Sequence, residues 1–530
     1  MSTRTDAEHA HLEALLRAWV RETNTAVSPG PLTVPLPSTG LALHTEVRHA
    51  SATGWHTFGP VTIGTLPADP VLAVALVAQE LGGETADLVE RTAESVRRVA
   101  GFLEHRGHSP TPADGFLDAE QSLLLGHLHH PAPKSRDGIS DRDNARFAPE
   151  LRGSFPLHWF AADPSVVSHA GGADVLMQEL AGRHVDGKLL IPAHPWQAHD
   201  LVQRPRIRSL LEHGLLESLG EFGPEWFPTS SLRTVYRPGA PVMLKLSLGL
   251  RITNSRREST ATELRRGMEI KQLLDTGYAA ETVLAHPEFT VVRDPSWIAV
   301  DEHGDVTGLD VAVRDVPPGL TDLRCLAGLV APRPGIGPSK LISVVPDPAA
   351  WVASYTDHVL VPMLKLYAET GIGLEGHQQN TLVREDASGG AYRDNQGYYL
   401  ASSYLPKLLD HLGAEHSRLA VVDDAIVDDR LTYYLLRNQA LAPIGCFGAH
   451  GVADERELLG VLAGRLEEAL PALAKAGPDG DRLARRWLTA PTLPCKGNLL
   501  TRLQGIDEVL APLDAQSVYL DTPNPLLEAK

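Results

Sequence analysis

Apolar and polar residues alternate most regularly in the middle of the chain. Over residues 242–253 an aliphatic side chain occupies almost every second position, and polar residues or glycine lie between. A period of two predicts a strand with one face in the core and one open face. Residues 230–236 predict a partner strand, and the Pro- and Gly-containing segment between the two predicts a hairpin turn. A turn that is symmetric about Gly239 would place Arg233 opposite Lys245.

Helical spacing of apolar residues marks both ends of the chain. A Thr5-x-x-Glu8 capping box predicts the start of an N-terminal helix, and residues 86–103 predict a second helix. The last third is predicted to be largely helical, with apolar stretches at residues 351–367, 405–412, 431–439 and 458–473. Helices and strands mix without a regular βαβ alternation, which predicts an α+β fold, and we place domain boundaries near residues 155 and 350.

Composition and charge exclude several classes of protein. The 530 residues include 48 basic and 66 acidic side chains, a formal charge of −18, which argues against a general nucleic-acid binder. The apolar run at residues 71–78 is far shorter than the ~20 residues of a membrane span, so we expect no membrane association. The three cysteines lie far apart and the first ten residues lack the apolar core of a signal peptide. We therefore expect a cytoplasmic protein without disulfides and without a cysteine zinc site.

A glycine motif at residues 371–376 resembles a dinucleotide fingerprint but has the wrong context. Gly371-Ile-Gly373-Leu-Glu-Gly376 fits G-x-G-x-x-G. A helical stretch precedes it and the apolar residues 381–383 that follow predict a strand, whereas the dinucleotide fold needs a strand, a loop and then a helix. We set this motif aside, and the sequence also contains neither a P-loop nor an H-E-x-x-H motif.

Polar residues that could bind a nucleotide or a metal ion flank the strand predicted after those glycines. Glu375 and His377 lie upstream, Asn380 directly precedes the strand, and Asp394 follows the returning segment. Protein kinases present an Asn and an Asp to nucleotide-bound Mg²⁺ in a similar order. The alternative is that these residues cap turns, which are positions that Asn and Asp favour.

The basic face of the predicted hairpin would complement such a magnesium site. Guanidinium, ammonium and hydroxyl groups that suit phosphate or carboxylate oxygens gather there, at Ser231, Arg233, Thr234, Lys245, Arg256 and Arg257. The alternative is an ordinary solvated strand face.

Two further segments carry histidine. The loop at residues 126–138 combines adjacent histidines, including His130, with Lys134 and Arg136, which suits an anion better than a metal cation. His194 lies in a Pro-flanked turn and is predicted to be a packing residue.

Six motifs in this order resemble one family. They are GHxxHPxxKxRxG at 126–138, HPWQ at 194–197, TSSxRT at 229–234, KLSLxxxITNSxR at 245–257, HxQN at 377–380 and RDNQG at 393–397. Together they resemble the NRPS-independent siderophore synthetases, the aerobactin-synthetase-type (IucA/IucC) family. The resemblance extends over residues 115–400.

The resemblance implies a reaction and an architecture. ATP and Mg²⁺ would activate a carboxylate of citrate or a related polycarboxylate as an acyl-adenylate, with release of pyrophosphate. An amine or hydroxyl would then attack to give an amide or ester and AMP, in siderophore biosynthesis. The implied cupped hand has a thumb (1–155), β-rich fingers (156–350) and a helical palm (351–530), with ATP between fingers and palm, usually as a homodimer.

The resemblance also implies residue roles. The implied contacts to ATP and the acyl-adenylate are Ser231, Arg233, Thr234, Lys245 and Arg257, together with His377, Asn380 and Asp394. The implied catalytic residues are Arg233, Lys245, Arg257 and His377, and the implied neighbours of Mg²⁺ are Glu375, Asn380 and Asp394. The implied contacts to the substrate carboxylate are His130, Lys134, Arg136 and Arg257. We expect His130 and His377 to be charged because they would lie beside anions.

Two other functions stay open at this point. A kinase-like phosphotransferase, suggested by Asn380 and Asp394, would release ADP, and a non-catalytic polycarboxylate or ferric-siderophore binding protein would need no nucleotide. Gly376 and Gln378-Gln379 differ from the Ala and Gly-Gln of family members that act on already amidated citrate. This difference favours the subtype that condenses free citrate with a small amine or amino acid.

Overall fold

The structure is a computed structural model that describes residues 2–83, 85–107, 112, 114–252, 255–302, 305–506 and 516–528. Residues 253 and 254 of the predicted central strand lie outside the described residues. Helices and strands are mixed along the chain, so the predicted α+β class is confirmed. Among the described residues, no helix is long and apolar enough to cross a membrane. All three cysteines are buried and free.

The N-terminal region packs helices against a small antiparallel sheet. Its first helix, Thr3–Glu22, is capped by Ser2, whose Oγ accepts from Thr5 N, so the predicted cap at Thr5 is wrong by three residues. The strands described here are Gly30–Leu36, Leu41–His49, Thr57–Phe58, Thr62–Ile63 and Leu66–Pro67. The helices that follow are Pro70–Leu81, Ala86–Arg106, Gly115–Glu120 and Asp141–Phe147.

The two ends of the chain share this N-terminal core. Leu499 and Leu503 pack into the same apolar cluster as Leu12 and Leu16. The carboxylate of Glu22 accepts hydrogen bonds from Leu499 N (3.0 Å) and Leu500 N (2.8 Å). These are backbone donors in the first turn of the helix Asn498–Leu503, which otherwise have no partner within the helix.

A larger sheet occupies the middle of the chain. In the described part it has eight strands, in the order Val167–Ala170, Ser296–Glu302, Asp305–Asp315, Val242–Leu246, Thr234–Tyr236, Leu216–Pro228, Phe155–Ala162 and Leu189–Ala193. The accompanying helices are Ala173–Ala181, Pro195–Leu201, Pro205–Glu212, Ala261–Asp275, Ala280–Ala285, Leu326–Val330 and Lys340–Val344.

The predicted central strand is in fact two strands that belong to different sheets. Val242–Leu246 lies in the large sheet, whereas Leu248–Ile252 pairs with Ser255–Arg257 and Arg136–Asp137. The break falls at Ser247, whose Oγ donates to Asp310 Oδ2 (2.7 Å) and accepts from Ser259 N (2.8 Å). The predicted open face is wrong for Val242–Leu246, where every residue is buried, whereas in Leu248–Ile252 the half-buried Gly249 and Arg251 alternate with the buried Leu248 and Leu250.

The predicted hairpin register is wrong by one residue. Thr234, and not Arg233, pairs with Lys245, and Val235 pairs with Leu244. Ala240 N donates to Arg237 O (3.0 Å), so a four-residue turn reverses the chain and Pro241 adds one residue on the returning side. Arg233 lies at the end of this ladder, where its carbonyl accepts from Leu246 N (2.9 Å).

The C-terminal region is largely helical, as predicted. Its helices are Pro348–Tyr355, Thr356–Leu360, Val361–Thr370, Leu405–Leu412, Asp424–Leu431, Thr432–Ala440, Leu441–Ala449, Glu455–Ala476, Arg482–Thr489 and Asn498–Leu503. Two of them, Thr356–Leu360 and Thr432–Ala440, are π-helical.

Three small sheets complete the described part of this region. The first contains Phe289–Val291, Gly390–Tyr392, Thr381–Arg384 and Leu323–Cys325; the second contains Ile372–Leu374, Tyr398–Ala401 and Ala420–Val422; the third contains Thr492–Lys496 and Tyr519–Pro523. The glycine motif lies between the helix Val361–Thr370 and the strand Thr381–Arg384, which is the reverse of the order in a dinucleotide fold.

Candidate active site

A tight turn at residues 229–234 carries three of the implied ATP contacts. Thr229 N donates to Thr234 O (2.9 Å), and Thr234 N donates to Ser231 Oγ (3.1 Å). Leu232 has φ of 64°, a left-handed conformation that is unusual for a residue with a branched side chain. The turn brings Ser231, Arg233 and Thr234 to the end of the strand that carries Lys245.

The guanidinium of Arg233 connects this turn to the segment that carries Arg257. Its Nη1 donates to Arg257 O (3.0 Å) and to Ser259 Oγ (3.4 Å). The contact from this turn to the HxQN loop is made by Ser230, whose Oγ accepts from Gln379 Nε2 (3.2 Å). The structure therefore gathers the basic residues of the hairpin next to the HxQN loop.

Lys245 and Asp394 form the central contact between the hairpin and that loop region. Lys245 Nζ lies 2.6 Å from Asp394 Oδ1, and Lys245 is only 3% exposed. Burial alone would raise the pKa of Asp394, but Lys245 and Arg314 hold it well below the usual range. Burial lowers the pKa of Lys245 to about 8, although Asp394 acts in the opposite direction. Both groups are charged at neutral pH.

Arg314 was not singled out in the sequence, although it contacts the same carboxylate. Its Nη2 lies 3.6 Å from Asp394 Oδ1, and it binds Asp294 through two hydrogen bonds, of 2.7 and 3.1 Å. Burial would lower the pKa of Arg314, but the carboxylate of Asp294 raises it above the ordinary value. An arginine embedded in an apolar strand gives no sequence signal for its partners, which here are distant along the chain.

His377, Asn380 and Glu375 lie together on the other side of the site. Asn380 Nδ2 donates to Glu375 O (3.1 Å) and approaches His377 Nε2 at 3.4 Å. The carboxylate of Glu375 accepts from Tyr399 OH (2.7 Å) and Tyr434 OH (3.4 Å). Burial raises the pKa of Glu375, which the hydrogen bond from Tyr399 opposes.

The expectation that His377 is charged concerns the site with anions bound, and it stays a prediction; the protein alone differs. Burial lowers the pKa of His377 to about 4, although Asp394 acts to raise it, so the imidazole is neutral at pH 7. Burial has the largest effect on this pKa and outweighs the opposing effect of Asp394. Three cations, Lys496, Arg393 and Arg257, lower the pKa further because they repel a charged ring.

The loop at residues 126–138 is built around a buried carboxylate. Lys134 Nζ lies 2.5 Å from Glu150, and Arg136 Nη2 lies 2.6 Å from both oxygens of Glu150. Burial alone would raise the pKa of Glu150, but Arg136 and Lys134 lower it to about 2. His130 Nδ1 accepts from Ala132 N (3.0 Å). Lys134 and Arg136 are thus held by a protein carboxylate, and their role toward a substrate stays a prediction.

The described residues contain no cluster of three or more His, Cys, Asp or Glu side chains that could hold a metal ion alone. The oxygen atoms of Asp394, Asn380 and Glu375 nevertheless are the kind of ligand that Mg²⁺ prefers. Mg²⁺ commonly takes one or two protein carboxylates and completes its shell with phosphate oxygens and water. These residues fit a magnesium ion that arrives with a nucleotide better than a resident one.

Two residues of the HPWQ motif, Gln197 and His194, have structural roles. Gln197 of the HPWQ motif accepts from Gly249 N (2.6 Å) and donates to Glu258 (2.8 Å) and Gly308 O (3.1 Å). Gln197 therefore connects the strand Leu248–Ile252 with Glu258 and with the strand Asp305–Asp315. His194 packs edge-on against two phenylalanines, with ring centroids 4.7 Å apart in each pair, as expected of a packing residue.

Comparison with known proteins gives two family matches. The model described as the IucA / IucC family matches residues 115–331, and the model described as ferric iron reductase FhuF-like transporter matches residues 349–510. The rhizobactin siderophore biosynthesis protein RhbC of Rhizobium meliloti is 34% identical, over 93% of this chain and 92% of that protein. The spermidine-citrate ligase of Bacillus anthracis is 32% identical, over 98% of each chain.

A solved structure agrees with these sequence matches. The ATP-bound aerobactin synthetase IucA of Klebsiella pneumoniae aligns with a TM-score of 0.85 and 27% identity, over 98% of this chain and 99% of that chain. The resemblance inferred from the six motifs is therefore confirmed. The chain belongs to the IucA/IucC family of siderophore synthetases.

Proposed function

We propose that this chain is an ATP- and Mg²⁺-dependent ligase that adenylates a carboxylate of citrate or a related polycarboxylate. It then condenses the activated acid with an amine or hydroxyl, in siderophore biosynthesis. The observation that carries the proposal is the contact between Lys245 and Asp394, 2.6 Å apart, because it joins the basic hairpin to the loop of oxygen ligands. The spermidine-citrate ligase of Bacillus anthracis supports citrate and an amine as substrates, and the ATP-bound Klebsiella enzyme supports the nucleotide.

The charges of the site match the demands of adenylation. A carboxylate oxygen must attack the α-phosphorus of ATP while the bond to the bridging oxygen breaks and pyrophosphate leaves. The barrier is dominated by bringing anions together, and fixed cations lower it without covalent chemistry. Arg233, Lys245 and Arg257 supply those cations, and Ser231 and Thr234 supply hydroxyl donors.

The second step needs a neutral nucleophile. The amine or hydroxyl attacks the acyl carbon, the bond from that carbon to the AMP oxygen breaks, AMP leaves, and the nucleophile gives up a proton. His377 is neutral in the protein alone, with a pKa lowered to about 4, and it becomes a better acceptor for this proton when the anionic acyl-adenylate lies beside it and raises that pKa toward neutral pH.

Asp394 and Asn380, with Glu375 nearby, are the residues that would hold Mg²⁺. The ion supplies charge neutralisation on the phosphate oxygens when bound. Asp394 is fully ionised at neutral pH, because Lys245 and Arg314 hold its pKa low. Lys245 can exchange Asp394 for a phosphate oxygen without leaving the carboxylate unpaired, because Arg314 is already 3.6 Å away.

The family architecture is part of the proposal. The thumb, fingers and palm would comprise residues 1–155, 156–350 and 351–530, with ATP between fingers and palm. The two family matches, which end and begin at residues 331 and 349, support a boundary near residue 350. We also propose a homodimer, which sedimentation equilibrium at two protein concentrations would test.

A hydroxylamine-trapping assay tests the reaction. The protein is incubated with ATP, Mg²⁺ and one of citrate, citrate monoamides, succinyl hydroxamates or 2-oxoglutarate, and nucleotides and hydroxamates are identified by mass spectrometry. We expect AMP, pyrophosphate and a citryl hydroxamate. ADP with a phosphorylated product would instead support a phosphotransferase, and tight citrate or siderophore binding without AMP would support a binding protein. No AMP with any of these acids would contradict the proposal.

A further inference from the structure

One fully buried carboxylate joins the turn at residues 229–234 to the helix Gly115–Glu120. Glu120 is 0% exposed. Its Oε2 accepts from Ser230 N (2.9 Å) and Ser230 Oγ (2.8 Å). Glu120 therefore holds both the backbone and the side chain of Ser230, which directly precedes the implied ATP contact Ser231.

The same carboxylate also binds the residue that precedes Asp394. Arg393 Nη2 lies 2.8 Å from Glu120 Oε1 and 3.0 Å from Oε2, and Arg393 is only 4% exposed. Asp394 itself has φ of 91°, so its backbone adopts a conformation that a non-glycine residue rarely holds without support. A neighbour fixed by a buried ion pair supplies such support.

Arg393 extends the connection to the HxQN loop. Its Nη2 donates to Gln379 O (2.8 Å), and its backbone N donates to Asn380 O (3.0 Å). Gln379 Nε2 in turn donates to Ser230 Oγ (3.2 Å), which closes the network. Three separate segments that carry implied ATP and Mg²⁺ contacts thus share one network with Glu120.

The network is buried, as are its immediate surroundings, with Cys325 0% exposed. Burial, together with the negative charge of Glu120, raises the pKa of the Cys325 thiol to about 12. The helix Gly115–Glu120 also lies tightly against Gly328, where an added Cβ would come within 2.0 Å of Ala119 O. The helix is therefore held firmly, and hydrogen bonds to the buried carboxylate of Glu120 are stronger than they would be in water.

We infer that Glu120 is a positioning residue for adenylation, because its contacts with Ser230 and Arg393 fix the position of the turn at residues 229–234 relative to Asn380 and Asp394. The inference rests on the proposed function, since it assigns the network to the alignment of ATP and Mg²⁺ contacts. Glu120 itself does not touch the nucleotide, and it acts through Ser230 and Arg393.

The test compares Glu120→Gln with a matched control, Glu369→Gln. Glu369 is also buried, at 6% exposure, and accepts from two backbone amides and one hydroxyl, those of Glu281 and Thr282. Both variants replace a buried carboxylate that accepts several hydrogen bonds with an amide, so both should unfold at a lower temperature. Only Glu120→Gln should impair nucleotide use, with kcat/KM for ATP lowered roughly 10- to 100-fold, because small misplacements of reacting groups cost that much. Glu369→Gln should stay within about threefold of wild type, since it lies on a helix that carries none of the implied contacts.

Ser230→Ala provides a second variant that keeps the Glu120–Arg393 ion pair and therefore the fold. It removes the hydroxyl that contacts Glu120 and Gln379, and it should raise KM for ATP about three- to tenfold with a smaller change in kcat. Wild-type KM in Ser230→Ala, or equal losses of kcat/KM in the two glutamate variants, would overturn the positioning role. A wild-type protein that forms no AMP would instead overturn the proposed function itself.

Discussion

The protonation of Lys245 should make adenylation sensitive to alkaline pH. Burial and the charges of Arg233 and Arg314 lower its pKa from 10.5 to about 8, against the opposing effect of Asp394. This change corresponds to about 3 kcal/mol in favour of the neutral amine. A neutral amine cannot neutralise a phosphate, so kcat/KM for ATP should be near its full value at about pH 7, about half of it near pH 8, and lower still as the pH rises further. An ordinary lysine would remain charged to about pH 10.

ATP–pyrophosphate exchange is the appropriate assay. It needs ATP, Mg²⁺ and the polycarboxylate but no amine, so the protonation of the second substrate does not enter. The ratio kcat/KM reports ionisations of the free protein, which is the state that the structure describes. The measurement should run from about pH 6.5 to about pH 9.5 at constant free Mg²⁺, with circular dichroism at each pH to show that the protein stays folded.

Lys245→Arg separates this lysine from other groups that titrate in the same range. Arginine stays charged above pH 12, so the alkaline fall should move out of the measured range even if the overall rate is lower. Lys271→Arg is the control, because Lys271 pairs with Asp275 on an exposed helix face and should leave the profile unchanged. A flat wild-type profile, or the same midpoint in Lys245→Arg, would refute the reasoning.

Four further outcomes are expected. Arg233→Ala and Lys245→Ala should fold, as judged by far-UV circular dichroism, yet lose roughly 10²- to 10³-fold in the rate of AMP formation, and wild-type turnover by either would contradict their roles. Glu150→Gln should destabilise the protein by about 3–5 kcal/mol in urea unfolding at pH 7, because it leaves two cations without their shared carboxylate. Since the pKa of Glu150 is lowered to about 2, the stability it contributes should be present above about pH 4 and lost as the pH falls toward 2. EDTA should abolish AMP formation, and added Mg²⁺ should restore it. AMP formation that continues in excess EDTA would contradict the metal assignment.

Local patterns in the sequence predicted the bounds of two short elements closely. The helix Leu405–Leu412 matches its predicted bounds at both ends, and the predicted strand at residues 381–383 is extended by only one residue, to Arg384. The hairpin register and the continuous central strand were wrong. The register shifted by one residue because Pro241 lengthens the turn on its returning side. The strand is interrupted because Ser247 forms side-chain hydrogen bonds with Asp310 and Ser259.

The candidate site was predictable as a set of residues but not as a set of contacts. Lys245 and Asp394 were both identified, yet their pairing across 149 positions could not be read from periodicity. The family resemblance implies a substrate role for Lys134 and Arg136, and the sequence did not show that Glu150 pairs with both of them. Glu120 and Arg314 were missed because a single charge in an apolar segment does not reveal its partner.

The hydrogen bonds from Leu499 and Leu500 to Glu22 constrain when the protein can finish folding. The carboxylate and the first of these donors are 477 positions apart, so at ~5–20 residues per second the ribosome needs roughly 25 to 95 s between them. Throughout that time the first helix lacks two bonds to its carboxylate and the two leucines that complete its core. The N-terminal segment, although synthesised first, therefore reaches its final packing only when nearly the whole chain has emerged.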